Sequence, residues 1–354
     1  MTAPDLSPIR AFLAAHHDGL AADVSAFAAR ELRPRPEPED DDDARREART
    51  LLAAMGKAGV FALQGLGLVP ILLSGNAAMR EHWVALTLEG RAMAAFAMTE
   101  PDAGSDVAAL ATRARRDGDH YVLDGVKCFI SNAGIADYYT VFATTDPAAG
   151  GRGIGCFVVP AGTPGLSFVR SQVLSAPHPL GEIAFEGCRV PVANRLGEEG
   201  KGFALGLKTL DRLRATVGAA ACGMATRALH EALAHARQRR QFGKPLGEFQ
   251  LVQEKLARMA TELTAARLLV YRAAHAADAG AERVTLEAAM AKLHATEGAQ
   301  RIVDDAVQVL GGRGVLAGSP VDRLYRSVRA LRIYEGTSEV QHLVIAGLLL
   351  KEPR

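Results

Sequence analysis

Three groups of residues in this chain have the types and spacing to do chemistry. The first is a single carboxylate: "RIYEGTSEVQ", residues 332 to 341, sets Glu335 between Tyr334 and Gly336, with Thr337 and Ser338 following. A glutamate in a desolvated setting is a general base whose pKa rises toward neutral pH. The same acid also fits a capped turn, with Thr337 or Ser338 starting a last helix. The second group is two glycine-bearing turns. "AMTEPDAGSD", 97 to 106, offers Thr99, Ser105 and backbone groups to a polar ligand, although any tight turn uses such residues. "QVLGGRGV", 308 to 315, would let backbone N–H groups approach phosphate oxygens. Its glycines follow a helical stretch instead of leading from a strand into one, so a helix C-cap explains them equally well. The third group is cationic: "RQRRQFGKPLGEFQ", 237 to 250, gathers arginines and a Gly-Lys-Pro break around Phe242, as an anion clamp or as a basic helix end. In "LDRLR", 210 to 214, Asp211 and Arg214 stand three apart, the spacing of an ordinary helical ion pair. Cys128, Cys156, Cys188 and Cys222 are too widely spaced for a metal-ligand pair or a disulfide framework, and reduced structural thiols are expected.

The elements that must position these residues fall into three stretches. A chain of 354 residues exceeds what one core usually serves, so several parts are expected. Lysines and arginines total 41 against 40 acids, which gives no global field for nucleic acid or an anionic membrane. The N-terminus has no basic start or apolar run, "LGLVPILL" is far shorter than a membrane helix, and the cytoplasm is the expected compartment. Residues 7 to 32 open on a Ser-Pro pair and place apolar residues at helical intervals. "RPRPEPEDDDDARREART" reads as a solvated linker feeding another helix. From about 96 to 193, "HYVLDGVKCFISNAG", "YYTVFATT", "GIGCFVVPAG", "LSFVR" and "GEIAFEGCRVP" are strand-like pieces between turns, and predict a compact β domain. After Gly202 the period becomes helical, with Phe203, Leu207, Leu210, Leu213 and Val217 on one stripe and Val252, Leu256, Met259, Leu263, Ala266 and Val270 on another. Long antiparallel helices in a bundle are expected. The predicted domains are 1–95, 96–195 and 196–354.

In order and spacing, "TEPDAGSD", "RRQFGKPLGEFQ", "QVLGGRG" and "IYEGTSEVQ" together resemble the flavoprotein acyl-CoA dehydrogenase family, from about Gly90 to the C-terminus. The resemblance implies an α+β fold with an N-terminal helical domain, a middle β-barrel-like domain and a C-terminal four-helix bundle. It also implies bound FAD and a homotetramer or homodimer in which a neighbouring subunit completes each flavin site. Met98 and Thr99 would face the flavin ring, Gly104 would be a cofactor-binding residue, and Ser105 would contact both the flavin phosphate and substrate. Phe129 takes the place of a tryptophan packed near the isoalloxazine, and Ser131 that of a hydroxyl near flavin N5. Arg239, Phe242 and Gln250, with Gln308, Gly311 and Gly312, would reach the FAD of a neighbouring subunit, and Thr337 and Glu339 the adenine half of the subunit's own. Glu335 becomes the α-proton base, Asp211, Arg214, Tyr334 and Gly336 substrate-pocket residues, and flavin N5 the hydride acceptor. Some members carry the base on the helix that here reads "LDRLR"; Leu213 holds that position in this chain.

Two departures from the family bear on substrate. "GKAGVFALQGLGLVPILLSGNAAMREHW" runs almost straight across a gap where the family has a longer segment lining the acyl cavity, so the wall is opened or rebuilt by "LVPILL". "SAPHPLGEIAF" has His178, Pro179, Leu180 and Gly181 where the family commonly has residues contacting CoA. The expected substrate is an acyl thioester, on CoA or on an acyl carrier protein. The expected electron acceptor is an electron-transfer flavoprotein, with oxygen left open. A flavin-dependent oxygenase or oxidase of the same fold and a flavin-binding non-catalytic homologue are the alternatives.

Overall fold

The computed structural model describes residues 7–59 and 65–351. By internal contacts it divides into two compact units, residues 20–210 and residues 2–19 with 211–354.

The first unit opens with helices α1 (His16–Phe27, shared across the division), α2 (Asp41–Lys57), α3 (Gly65–Ser74) and the short α4 (Ala77–Met79) and α5 (Ala85–Leu88). The aspartate run is not a solvated linker: it starts α2. Asp40 caps the helix by accepting from the Asp43 amide at 2.8 Å, and first-turn acids favour the positive end of the helix dipole. Asp41 is buried and ion-paired with Arg45 at 2.7 Å. The Arg45 guanidinium also donates to the carbonyls of Ala133 and Leu180 and lies 5.1 Å from the Phe168 ring centroid. Four aspartates together hide this device, because only the folded chain shows which of them has a cation. In α3, Leu68, Val69 and Ile71 are buried, and the helix packs on two strands of the sheet described next. The "LVPILL" stretch is therefore core of this unit, while residues 60–64 of the departing segment lie outside the described residues.

The sheet has seven strands: β1 (Ala94–Ala97), β2 (Arg113–Asp117), β3 (His120–Ser131), β4 (Tyr138–Thr144), β5 (Ile154–Pro160), β6 (Leu166–Ser171) and β7 (Leu180–Pro191). Their order is β1-β4-β2-β3-β7-β6, with β5 also paired to β4. The five strand-like sequence pieces become β3 to β7. β2 escapes the hydrophobic pattern because "RARRD" buries only Ala114 and exposes its arginines. β4 is buried along its whole length, and with Tyr121, Phe157, Ile183 and Phe185 it forms the β core.

The second unit contains most of α6 (Gly202–Gln238), then a two-stranded hairpin of β8 (Arg240–Gln241) and β9 (Lys244–Pro245), α7 (Gln250–Asp278), α8 (Thr285–Leu310), α9 (Pro320–Leu331) and α10 (Ser338–Leu349). One core joins Val217, Ala221 and Ala225 of α6, Met259, Leu263 and Val270 of α7, Ala295 and Ile302 of α8, and Val328 of α9. Alanine spacing lets these helices approach closely. The α7 stripe lies as its periodicity predicts. On α6, Leu207 is 38 % exposed, and Leu205 is buried in its place.

Candidate active site

Glu335 ends the short turn between α9 and α10. Its φ of +54°, unusual for a residue with a side chain, is followed by Gly336 at φ +93°. A Cβ on Gly336 would lie 2.5 Å from Nε2 of Gln341, so this position admits only glycine without rearrangement. Thr337 caps α10, its hydroxyl accepting from the Val340 amide at 3.3 Å, and Glu339 lies exposed in the first turn. The helix-start reading of this motif therefore holds at Thr337. It leaves Glu335 free for another role.

Three buried donors grip the turn. Arg214 Nε donates to the Glu335 carbonyl at 3.3 Å, Gln341 Nε2 to the carbonyls of Glu335 and Gly336 at 3.1 Å each, and Lys292 Nζ to the Gly336 carbonyl at 2.8 Å. The Glu335 amide N–H has no hydrogen-bond acceptor among the described residues. The carboxyl itself is desolvated: Oε2 is buried without a partner, and burial raises Glu335 to about 7 against the pull of Lys292 and Arg214. Asp211 is fully engaged, accepting from Arg214 Nη1 and Thr285 Oγ1 at 2.6 Å each. It holds Arg214 in place. Sequence reading named Glu335, Gly336, Asp211 and Arg214 but missed Lys292 and Gln341. The available signal was a lysine on the alanine stripe of α8, between Ala288, Ala291 and Ala295.

In the first unit, Met98, Thr99, Phe129 and Ser131 come together through β1 and β3. The Cys128 amide donates to the Thr99 carbonyl at 3.0 Å, and buried Lys127 donates to the Met98 carbonyl at 3.0 Å and to Glu100 at 2.7 Å. Burial alone would raise Glu100, but the Lys127 charge and the bonds from Thr112 and Ala111 hold it below the usual range. Phe129 sits at φ +54° and is 59 % exposed, its amide held by the Gln172 side chain. Ser131 Oγ pairs with His178 Nε2 at 2.9 Å, which gives the unusual "SAPHP" segment a contact with a predicted cofactor residue. Gly104 and Ser105 lie in the exposed loop after Met98.

The remaining predicted residues are not joined to the Glu335 cluster. Arg239 lies between α6 and the β8–β9 hairpin, Phe242 sits in the hairpin turn, 93 % exposed at φ +48°, and Gln250 begins α7. Gln308 ends α8, and Gly311 forms its C-cap at φ +59°, as the local reading of "QVLGGRGV" expects; a Cβ on Gly311 or Gly312 would meet open space. No group of three or more potential metal ligands occurs among the described residues.

Two family models match the chain: the acyl-CoA dehydrogenase middle domain over residues 95–188, and the acyl-CoA dehydrogenase C-terminal domain over residues 200–350. A 3-(aryl)acrylate reductase of Clostridium sporogenes is 45 % identical over 302 residues, covering 84 % of this chain and 80 % of the relative. Butyryl-CoA dehydrogenase from Megasphaera elsdenii superposes with a TM-score of 0.88 at 34 % identity, covering 96 % of this chain and 99 % of that one. The prolyl acyl carrier protein oxidase AnaB superposes at 0.79 with 30 % identity, covering 97 % and 92 %. Together with the Glu335 turn and the seven-stranded sheet, these matches show that the chain belongs to the acyl-CoA dehydrogenase family, oxidoreductases acting on the CH–CH group of their donors.

Proposed function

We propose that the protein is a FAD-dependent dehydrogenase that converts an acyl thioester to its 2-enoyl thioester, with Glu335 as the α-proton base. The observation that carries this reading is the Glu335 carboxyl: Oε2 is buried, unpartnered and poised at about 7, at the end of a turn whose carbonyls are tied down. A base with that pKa is half ionised near neutral pH, where it can accept a proton and release it again. The Glu335 amide N–H is free to donate a hydrogen bond to a thioester oxygen as negative charge develops on it when the α-proton leaves. Arg214, held by Asp211, keeps the turn in place, and Tyr334 and Gly336 flank the base as substrate-pocket residues.

The residues present fit a flavin. An exposed Phe129 ring, the Ser131 hydroxyl, Met98 and Thr99 beside them, and the open backbone at Gly104 and Ser105 suit an aromatic, hydrogen-bonding and phosphorylated group. Thr337 and Glu339, and Arg239, Phe242, Gln250, Gln308, Gly311 and Gly312 from a neighbouring subunit, would complete its hold. When bound, FAD supplies the two-electron acceptor for the β-hydride. The division into domains 1–95, 96–195 and 196–354 is part of this reading, as is a homodimer or homotetramer.

The acyl group is carried on CoA or on an acyl carrier protein; similarity to AnaB and the His178 segment support keeping the second. Electrons pass to an electron-transfer flavoprotein or to oxygen. Four buried free thiols support a reducing compartment such as the cytoplasm, and no helix among the described residues is long and apolar enough to cross a membrane. Anaerobic mixing of the FAD-loaded protein with a panel of acyl thioesters tests the reading: a substrate should bleach the flavin, and Glu335→Gln should abolish bleaching without releasing FAD. Unchanged bleaching in that variant would refute the base. Presenting one acyl group on CoA and on a carrier protein decides the carrier.

A further inference from the structure

Two lysines are among the largest fully buried side chains of the molecule, Lys127 and Lys292. Lys127 has the expected partner, Glu100 at 2.7 Å. Lys292 has none: its only hydrogen bond among the described residues is to the Gly336 carbonyl, and no carboxylate lies within ion-pair distance. An ammonium taken out of water without a counter-charge costs several kcal/mol, so such a group persists only where something else requires it.

The charges around it show what that is. On α6, Arg214 is neutralised by Asp211 at 2.6 Å. On α8, Glu297 is neutralised by Arg332 at 2.7 Å and bonded by the Ser338 hydroxyl. On α10, Glu339 is exposed and held by its own helix start, and Tyr334 is uncharged at neutral pH. Subtracting these pairs leaves one buried cation, Lys292, and one buried acid, Glu335. Both belong to the same turn: Lys292 holds the carbonyl of Gly336, and Glu335 is the residue before it.

We infer that Lys292 is a positioning residue for the base: it locks the turn just after Glu335 through the Gly336 carbonyl and supplies the buried positive charge that offsets the desolvation of the Glu335 carboxyl. This rests on the reading of Glu335 as the base. Burial draws Lys292 down to about 8, so it is cationic over the range in which Glu335 titrates near 7. Removing the charge leaves Glu335 with desolvation and only the compensated Arg214 against it, and its pKa must rise.

Linkage reads that pKa without any substrate. The folded value of Glu335 lies above its ordinary 4.5, so the stability held by the protonated carboxyl is intact below 4.5 and is lost as pH rises through about 7. Glu335→Gln stays neutral and does not suffer that loss. The Tm of the FAD-loaded protein minus that of E335Q should therefore fall with rising pH and level off above about 7. In a Lys292→Met background, comparing K292M with K292M/E335Q, the pH at which the fall levels off should move up by about one pH unit or more, a tenfold or larger change in the ionisation constant. Lys292→Gln keeps a donor for Gly336 without the charge: it should shift the levelling-off pH as Met does, yet retain more of the bleaching rate at high pH. A levelling-off pH unmoved in either background overturns the charge role, and equal high-pH rates in both variants overturn the lock on the turn. Should both variants fail to fold, the wild-type pair still decides: a fall that continues above pH 9 overturns the inference. Bleaching that survives Glu335→Gln would instead overturn the base, whatever the melting curves show.

Discussion

At the scale of single residues one carboxyl group stands apart. Glu335 carries an orphaned buried oxygen, a left-handed backbone and a value near 7, three departures from an ordinary surface glutamate that coincide at one residue. Dehydrogenation needs its ionised form, so substrate-dependent bleaching measured by stopped flow should rise with pH and level off above about 7. The reverse reaction, hydrogenation of a 2-enoyl thioester, needs the protonated form and should fall through the same pH. Replacing Glu335 by Gln should slow the forward step by about a hundredfold or more at every pH, with FAD content unchanged in the visible spectrum. Glu335 itself was legible in sequence, since its motif keeps company with three others. Its donors were less so. Gln341 reads as one polar residue of a first helical turn, and only the turn between α9 and α10 folds it back onto two carbonyls.

The elements place these groups by devices that local pattern reports unevenly. The turn before α10 depends on Gly336, whose φ of +93° and close approach to Gln341 exclude a side chain. Gly336→Ala should lower stability by about 1–3 kcal/mol in urea unfolding and depress bleaching more strongly, because the strain falls on the peptide that carries the base. The Arg45 anchor of α2 makes a comparable claim on the first unit. Truncating it to Ala leaves Asp41 buried without a cation and frees two carbonyls, so a loss of about 3 kcal/mol is expected. An exposed-linker role for "EDDDDARREART" would leave the urea midpoint unchanged. Strands β3 to β7 were legible because alternating or continuous apolar runs survive in sequence. β2 was not, because its pairing with β3 rests on backbone hydrogen bonds that arginine side chains do not advertise.

At the scale of the whole molecule, the formal charge of +1 gives no long-range steering. The second unit exposes Phe242, Leu251, Leu343 and Leu350 at 93, 81, 73 and 83 %. Phe242→Asn tolerates the same left-handed backbone and removes only the ring, so it should leave unfolding nearly unchanged. In light scattering it should shift the protein toward smaller species, and it should speed FAD loss on dilution; an unaltered mass and FAD off-rate would remove Phe242 from the cofactor site. Family and helical-β-helical order were determined by sequence alone, because motif order, hydrophobic period and turn residues are local quantities that survive without a fold. The partners of each charge were decided only by tertiary structure. Whether Asp41 is solvated or buried, and whether Lys292 is a surface lysine or a buried cation on the Glu335–Gly336 turn, depends on residues far apart in the chain. Only folding brings them within a few ångströms and removes the water between them.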